Sequence, residues 1–319
     1  MLIAITGKIA VGKSTTLKNI KDEFNKIDLD SVAKAIFYKA EIQNFVAKYC
    51  KFDENLTQSI WKNIMADDER YVEYCSLFED DLIEFVRRYR HEVTPVLFEA
   101  SALSSYPRLI KEFDLIIEIT CDDDERMRYL KYRNLFLDDP LNRAEISDRR
   151  FKSLTPHIYH INSDKSFYEY LCECIKQLKV GLFCGSFNPL TIGHLNIYKK
   201  AQHFFDIVYL VRAQNPDKAQ FSWPIPEGHN LRWLTTTYIP DVIKSMCVDP
   251  ILVRGVRNAQ DCDEALSWQK AIGLCMSKKV DLLLIPCDPE YTSISSSFVR
   301  GVHELNQDDA KKFIVHSKE

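Results

Sequence analysis

Thr6-Gly7-Lys8-Ile9-Ala10-Val11-Gly12-Lys13-Ser14-Thr15 closes the apolar run Leu2–Thr6, and Phe183-Cys184-Gly185-Ser186-Phe187-Asn188-Pro189-Leu190-Thr191-Ile192-Gly193-His194 closes the apolar run that begins at Val180. In both places a short buried-type strand runs through a glycine-bearing turn into an amphipathic stretch, 14–24 in the first case and about 195–205 in the second. Such a strand–loop–helix opens a parallel α/β unit, whose ligands bind beyond the carboxyl ends of the strands. Glycine makes the two turns conspicuous. The chain has 9 glycines, and only Gly7 and Gly12 precede Gly181. Glycine is used where backbone turns sharply or approaches something closely.

Working outward, further strand-like runs fall at Pro95–Glu99, Leu115–Thr120, Ile158–Ile161, Val180–Phe183, Ile207–Val211, Ile251–Val253 and Leu282–Ile285. Helical spacing appears between them, as in Val72, Cys75, Phe78, Leu82, Phe85 and Tyr89. The fold class expected is α/β, with two doubly wound parallel-sheet domains over 1–178 and 179–319. The helix-like segment Lys165–Leu178 runs almost directly into the second opening strand, with no Pro/Gly/Ser linker between. The acidic run Asp122-Asp123-Asp124-Glu125 follows a strand, where carboxylates suit the start of a helix.

Composition bounds the function. With 319 residues, 46% hydrophobic and 28% charged, the chain can bury two cores and is not of disordered type. A net charge of −4 argues against a broad nucleic-acid footprint. No run is long and apolar enough for a membrane span, and Gly7 and Lys8 come too early for a signal peptide. A cytoplasmic protein without nucleic-acid or membrane partners is therefore expected. Its 10 cysteines include no Cys-x-x-Cys pair, so free thiols are expected rather than zinc. Oligomeric state is left open, a homo-oligomer included.

Gly7 to Ser14 fit G-x-x-x-x-G-K-[ST] between a strand and a helix, the context this phosphate-binding loop requires. Backbone amides of the loop would cradle phosphates, Lys13 would reach the outer ones, and Ser14 would ligate Mg²⁺. Asp28 and Asp30 follow the short apolar step Lys26-Ile27, which reads as a next strand. A carboxylate there could accept a proton from an attacking hydroxyl, and equally could cap a helix.

This first segment, with Ile27-Asp28-Leu29-Asp30 behind it, resembles dephospho-coenzyme A kinase. The resemblance implies ATP bound by Gly7, Ala10, Val11, Gly12, Lys13, Ser14 and Thr15, with Mg²⁺ on Ser14. It further implies Asp30 as general base toward the ribose 3′-hydroxyl of dephospho-CoA, with Asp28 matching the first aspartate of the family. Arg126, Arg128 and Arg133 resemble its lid, whose cations cover the transferring phosphoryl group, and Arg149, Arg150 and Ile161-Asn162 fit its last helix and strand. The family usually carries glycine at the places of Lys8 and Ala10.

In the second half, His194 opens a helix beside Gly193, and three segments follow strands: Asn215-Pro216-Asp217-Lys218, Arg254-Gly255-Val256-Arg257, and Ser293-Ile294-Ser295-Ser296-Ser297-Phe298-Val299-Arg300. An imidazole, cations and a hydroxyl-rich helix start after successive strands suit an α-phosphate and its developing charge. Together they resemble phosphopantetheine adenylyltransferase. The resemblance implies catalysis by His194, Lys218 and Arg254, and 4′-phosphopantetheine held by Ser186, Lys218 and Arg254. ATP would be held by Ser186, Phe187, His194, Gly255, Val256, Arg257, Tyr291, Ser293, Ile294, Ser295, Ser296 and Ser297. Asn188 stands for the usual aspartate, and Ala265 for an ATP-contacting glutamate that the adjacent Glu264 could replace.

The two resemblances interlock, because the product of the second half would be the substrate of the first. They imply a kinase fold followed by a Rossmann-like nucleotidyltransferase fold, completing coenzyme A from ATP and 4′-phosphopantetheine. Two alternatives stay open: another small-molecule kinase joined to another nucleotidyltransferase, or a nucleotide-binding regulatory protein with one inactive domain.

Overall fold

The computed structural model describes residues 1–20, 24–53, 55–133, 140–213, 223–224, 226 and 231–317. It divides into two compact units, Met1–Cys174 and Ile175–Glu319, each built around its own parallel sheet.

In the first unit the strands are β1 (Leu2–Thr6), β2 (Asn25–Asp28), β3 (Val96–Glu99), β4 (Leu115–Thr120) and β5 (Ile158–His160), in the order β2-β3-β1-β4-β5. β1 is buried along its whole length, as expected of a central parallel strand covered on both faces. Its register pairs Ile5 with Glu99, and Asp28 pairs with Glu99 from β2. Acidic side chains at the ends of β2 and β3 thus lie level with Ile5, two residues before Gly7.

The long helix Asp68–Arg87 packs Tyr71, Cys75, Phe78, Leu82 and Val86 into the core. Cys75, Phe78 and Leu82 are buried as the spacing places them, whereas Val72 is 67% exposed and Tyr71 takes its place at the start of the stripe. Phe98 of β3 is fully buried and meets Tyr89 and Phe113 edge-on, at centroid distances of 5.7 Å and 5.5 Å. The acidic run does open a helix, Asp123–Arg133, with Asp123, Asp124 and Glu125 in its first turn.

In the second unit the strands are β6 (Val180–Gly185), β7 (Ile207–Ala213), β8 (Trp233–Thr236), β9 (Ile251–Val256) and β10 (Leu282–Pro286), in the order β10-β9-β6-β7-β8. Strands are added on both sides of β6, so the crevice beside its carboxyl end is a topological switch point. Thr191 caps the helix Ile192–Ala201 there.

Several sequence expectations need correction. The helix after the first loop spans Lys13–Lys18, not 14–24, because Asn19 closes it and the chain is already in β2 at Asn25. The helix expected near 195–205 starts at Ile192 and ends at Ala201, which frees Phe205 to turn into the core. β9 runs on to Val256, so Arg254 and Gly255 belong to the strand rather than follow it. β8 was not anticipated, since its sequence carries two exposed-type threonines behind Trp233 and Leu234. Among the described residues no helix is long and apolar enough to cross a membrane.

Phe98→Ala should destabilise the first unit by about 3–5 kcal/mol, the usual cost of deleting a buried phenylalanine. Urea unfolding of the full chain would record this; a loss below about 1 kcal/mol would contradict the packing described.

Candidate functional sites

The first candidate site lies at the carboxyl ends of β1, β2 and β3. Gly7 has φ of 143°, and a Cβ there would come within 2.4 Å of the Ile119 carbonyl oxygen on β4, so only glycine fits. Ala10 also lies in the left-handed region, at φ 64°. The loop folds around its own lysine: the buried Lys13 ammonium donates to the carbonyls of Gly7 at 2.8 Å and Lys8 at 2.9 Å. A cation on such flexible bonds can exchange carbonyl partners for phosphate oxygens.

Ser14 and Thr15 are exposed, while Ala10 and Val11 are buried. The Ser14 hydroxyl donates to Glu99 Oε1 at 2.5 Å. Glu99 was missed in the sequence, although an acid ending the buried run Val96-Leu97-Phe98 is a recognisable signal. Hydroxyl and carboxylate together are a hard oxygen set of the kind Mg²⁺ prefers. Asp28 and Asp30 have separate tasks. The Asp28 carboxylate caps the helix Leu29–Ile36, accepting from the Asp30 amide at 2.9 Å and the Ser31 hydroxyl at 2.5 Å. Asp30 is accessible to solvent yet its carboxyl is crowded by protein. Lost hydration, and then the Asp28 charge, raise its pKa, opposed by a Ser101 hydrogen bond and by Lys13 and Lys34. Lys13 and Asp30 are therefore electrostatic neighbours.

The arginines fall differently from a phosphoryl-covering set. Arg126 is committed to the Ile9 carbonyl and to Asp148. Arg150 donates to Met65 O and Asp68 and stacks over Tyr71, 4.1 Å from its centroid. Arg128 and Arg149 are exposed, and the Arg133 side chain lies outside the described part.

The second candidate site is a cavity of about 180 Å³ at the carboxyl ends of β6 and β9. It gathers Phe187, His194, Arg254, Gly255, Arg257, Ile294 and Ser295 from widely separated parts of the chain. Gly255 lets the helix Ile192–Ala201 approach β9, because a Cβ there would lie 2.7 Å from Ile197 Cγ1. That approach seats His194, whose ring meets Phe187 edge-on at 5.1 Å.

The ring's orientation is fixed by hydrogen bonds. Its Nδ1 receives the Thr191 backbone N–H at 3.0 Å, with the Thr191 hydroxyl also 3.0 Å away. A backbone amide only donates, so Nδ1 holds a lone pair and the neutral ring carries its proton on Nε2. Lost hydration, then the charges of Arg257 and Arg254, lower the pKa to about 4. His194 is thus a neutral N–H donor at pH 7, not an imidazolium. The positive charge comes from the arginines. Arg254 donates to the Cys184 carbonyl at 2.9 Å and lies over the Trp268 ring, and Arg257 forms a two-pronged pair with Asp261 at 2.8 Å and 3.1 Å.

Three of the expected serines have protein partners. Ser295 caps the helix Ser296–Leu305 through the Phe298 amide, Ser296 donates to Pro189 O at 2.9 Å in a buried contact, and Ser297 accepts from Arg300. Two of these hydroxyls thus shape the turn, and Ser293 and Ser297 remain exposed. Ser186, Val256, Tyr291, Ser293, Ser296 and Ser297 do not line the cavity, and Lys218 lies outside the described residues. Ala265 is fully buried, whereas Glu264 faces the cavity. Asp261 was missed; Arg257 just precedes the cap Asn258 of the helix Ala259–Met276, and Asp261 stands in that helix's first turn, where a carboxylate is favoured.

Residues 182–302 match the family model described as cytidylyltransferase-like. A phosphopantetheine adenylyltransferase of Streptococcus pneumoniae (strain Taiwan19F-14) is 34% identical over 145 residues, covering 41% of this chain and 88% of that protein. One of Fusobacterium nucleatum subsp. nucleatum is 29% identical over 145 residues, covering 41% and 86%. Among solved structures, that of TT1252 from Thermus thermophilus covers 55% of this chain and 95% of that chain, at 16% identity and a TM-score of 0.43.

Proton NMR of the full chain should find the His194 ring neutral down to about pH 4. The folded pKa lies below that of an unfolded histidine, about 6.5, so its stabilising contribution is complete above that value and is lost as pH falls toward 4. A titration midpoint near 6.5 would contradict the burial and charge environment described.

Proposed function

Since the chain belongs, through its C-terminal unit, to the phosphopantetheine adenylyltransferase family, we propose that this unit transfers the adenylyl group of ATP to 4′-phosphopantetheine and that the N-terminal unit phosphorylates the dephospho-CoA formed. The observation that carries the first step is the cavity in which a neutral, tautomer-fixed His194 stands among Arg254 and Arg257. A phosphate oxygen of 4′-phosphopantetheine attacks the α-phosphorus of ATP, the bond to the β-phosphate oxygen breaks, and pyrophosphate leaves. The nucleophile is already an anion, so no base is required. The Nε2–H of His194 donates to the α-phosphate as negative charge gathers, and Arg254, Arg257 and Lys218 offset charge on substrate and leaving group. Glu264 takes the cavity-facing place beside the buried Ala265.

For the second step, support comes from Lys13 in its loop of inward carbonyls and from Asp30 beside it. The 3′-hydroxyl oxygen attacks the γ-phosphorus of a second ATP, its proton passes to Asp30, and ADP leaves. The raised pKa of Asp30 makes it a stronger base than an ordinary aspartate. Ser14 and Glu99 would hold Mg²⁺, which when bound neutralises phosphate charge. The reading takes both units as active and their substrates as small molecules only.

The test supplies the full chain with ATP, Mg²⁺ and 4′-phosphopantetheine and follows pyrophosphate, ADP, dephospho-CoA and CoA separately. His194→Ala should slow pyrophosphate release by about 100–1,000-fold, the usual cost of losing one transition-state donor, while phosphorylation of added dephospho-CoA persists. Lys13→Met should abolish ADP and CoA but leave dephospho-CoA accumulating. If either variant keeps its own step, the assignment of that unit fails.

A further inference from the structure

The helices Asp123–Arg133 and Pro140–Arg150 join the phosphate loop at two consecutive residues, Ile9 and Ala10. At Ile9 the contact is polar. Arg126 Nε donates to the Ile9 carbonyl at 2.9 Å, and its two terminal nitrogens donate to the two oxygens of Asp148 at 2.6 Å and 2.7 Å. The Arg126 side chain is only 11% exposed. At Ala10 the contact is dry, its methyl packing with buried Leu130 and Ala144, one from each helix.

Each contact accounts for something the loop needs. A left-handed φ of 64° is unfavourable for alanine, and a methyl that fills a gap between two helices offsets that cost. The peptide joining Ile9 to Ala10 is planar, so its C=O and N–H point in opposite directions. Holding the Ile9 oxygen toward Arg126 therefore turns the Ala10 N–H to the other side of the loop. The two-pronged carboxylate pair keeps the guanidinium in one plane, so the direction of that pull is set by Asp148, 22 residues away along the chain.

We propose that Asp148 and Arg126 form a positioning clamp on the phosphate loop, holding the Ile9–Ala10 peptide in the orientation that receives a nucleoside triphosphate. Arg126 is then a positioning residue that acts through the loop, with no contact to the transferred phosphoryl group. The role of the clamp in nucleotide binding rests on the phosphate-loop reading above; its role in loop geometry does not.

Two measurements on the full chain keep these apart. Hydrogen–deuterium exchange without nucleotide should be about tenfold faster at the amides of residues 8–13 in Asp148→Asn, with β3 and the helix Asp68–Arg87 unchanged. The affinity for Mg²⁺ and a non-hydrolysable ATP analogue at this loop should weaken about tenfold, while kcat for phosphoryl transfer at saturating ATP stays within twofold. Arg126→Lys, which keeps the charge but not the fork, should reproduce both effects and stands in if Asp148→Asn does not fold. Unchanged loop exchange in these variants overturns the clamp. So does Arg126→Lys with a normal ATP KM and a kcat lowered 100-fold, which would make Arg126 a catalytic contact. Lys13→Met that binds nucleotide as well as the native chain overturns the phosphate-loop reading instead, and the exchange result still decides the clamp.

Discussion

Among the described residues every strand pairing in both sheets is parallel, and the positions of both candidate sites depend on that constraint. A parallel sheet aligns all its carboxyl ends, where the chain leaves each strand for the next crossover. Residues far apart in sequence are thereby delivered to one edge. In the first unit this edge holds the loop Gly7–Gly12, Asp28 and Glu99; in the second it holds Gly185, Arg254 and, in the first turn of the helix that follows, His194. Each unit can build its polar cluster from single residues on separate loops without disturbing an apolar core.

The two clusters hold their cations in opposite ways. The second-unit cavity keeps its cations engaged by the protein: Arg257 with Asp261, Arg254 with a carbonyl and an indole face. This spares them the cost of lying unpaired in a partly dehydrated wall. The same charges, acting with lost hydration, hold His194 neutral. In the first unit the cation is folded into the loop, where Lys13 is satisfied by the carbonyls of Gly7 and Lys8. The left-handed turns that shape that loop are secured by β4 on one side and by the Arg126 contact on the other.

Much of this was legible in the sequence. Both strand–loop–helix openings, the α/β class and most strands follow from apolar runs and from where glycine is spent. Arg254 and Arg257 are recognisable at the end of β9, one within it and one just past it, and His194 at the start of the helix that follows β6. What could not be read is the direction of side chains. The serines of 295–297 look like one anion cradle, but their hydroxyls are divided among a helix cap, the Pro189 carbonyl and Arg300. Arg126 reads as a lid cation until Asp148 and Ile9 are placed beside it. Glu99 and Asp261 gain meaning only from Ser14 and Arg257, and β8 hides in a short run of half-polar residues.

The central claim is that one chain carries two separate nucleotide sites, and calorimetry addresses it directly. Titration of the full chain with Mg²⁺ and a non-hydrolysable ATP analogue should reach two equivalents per chain. One equivalent would contradict the account, as would two that both survive replacement of Lys13 by Met.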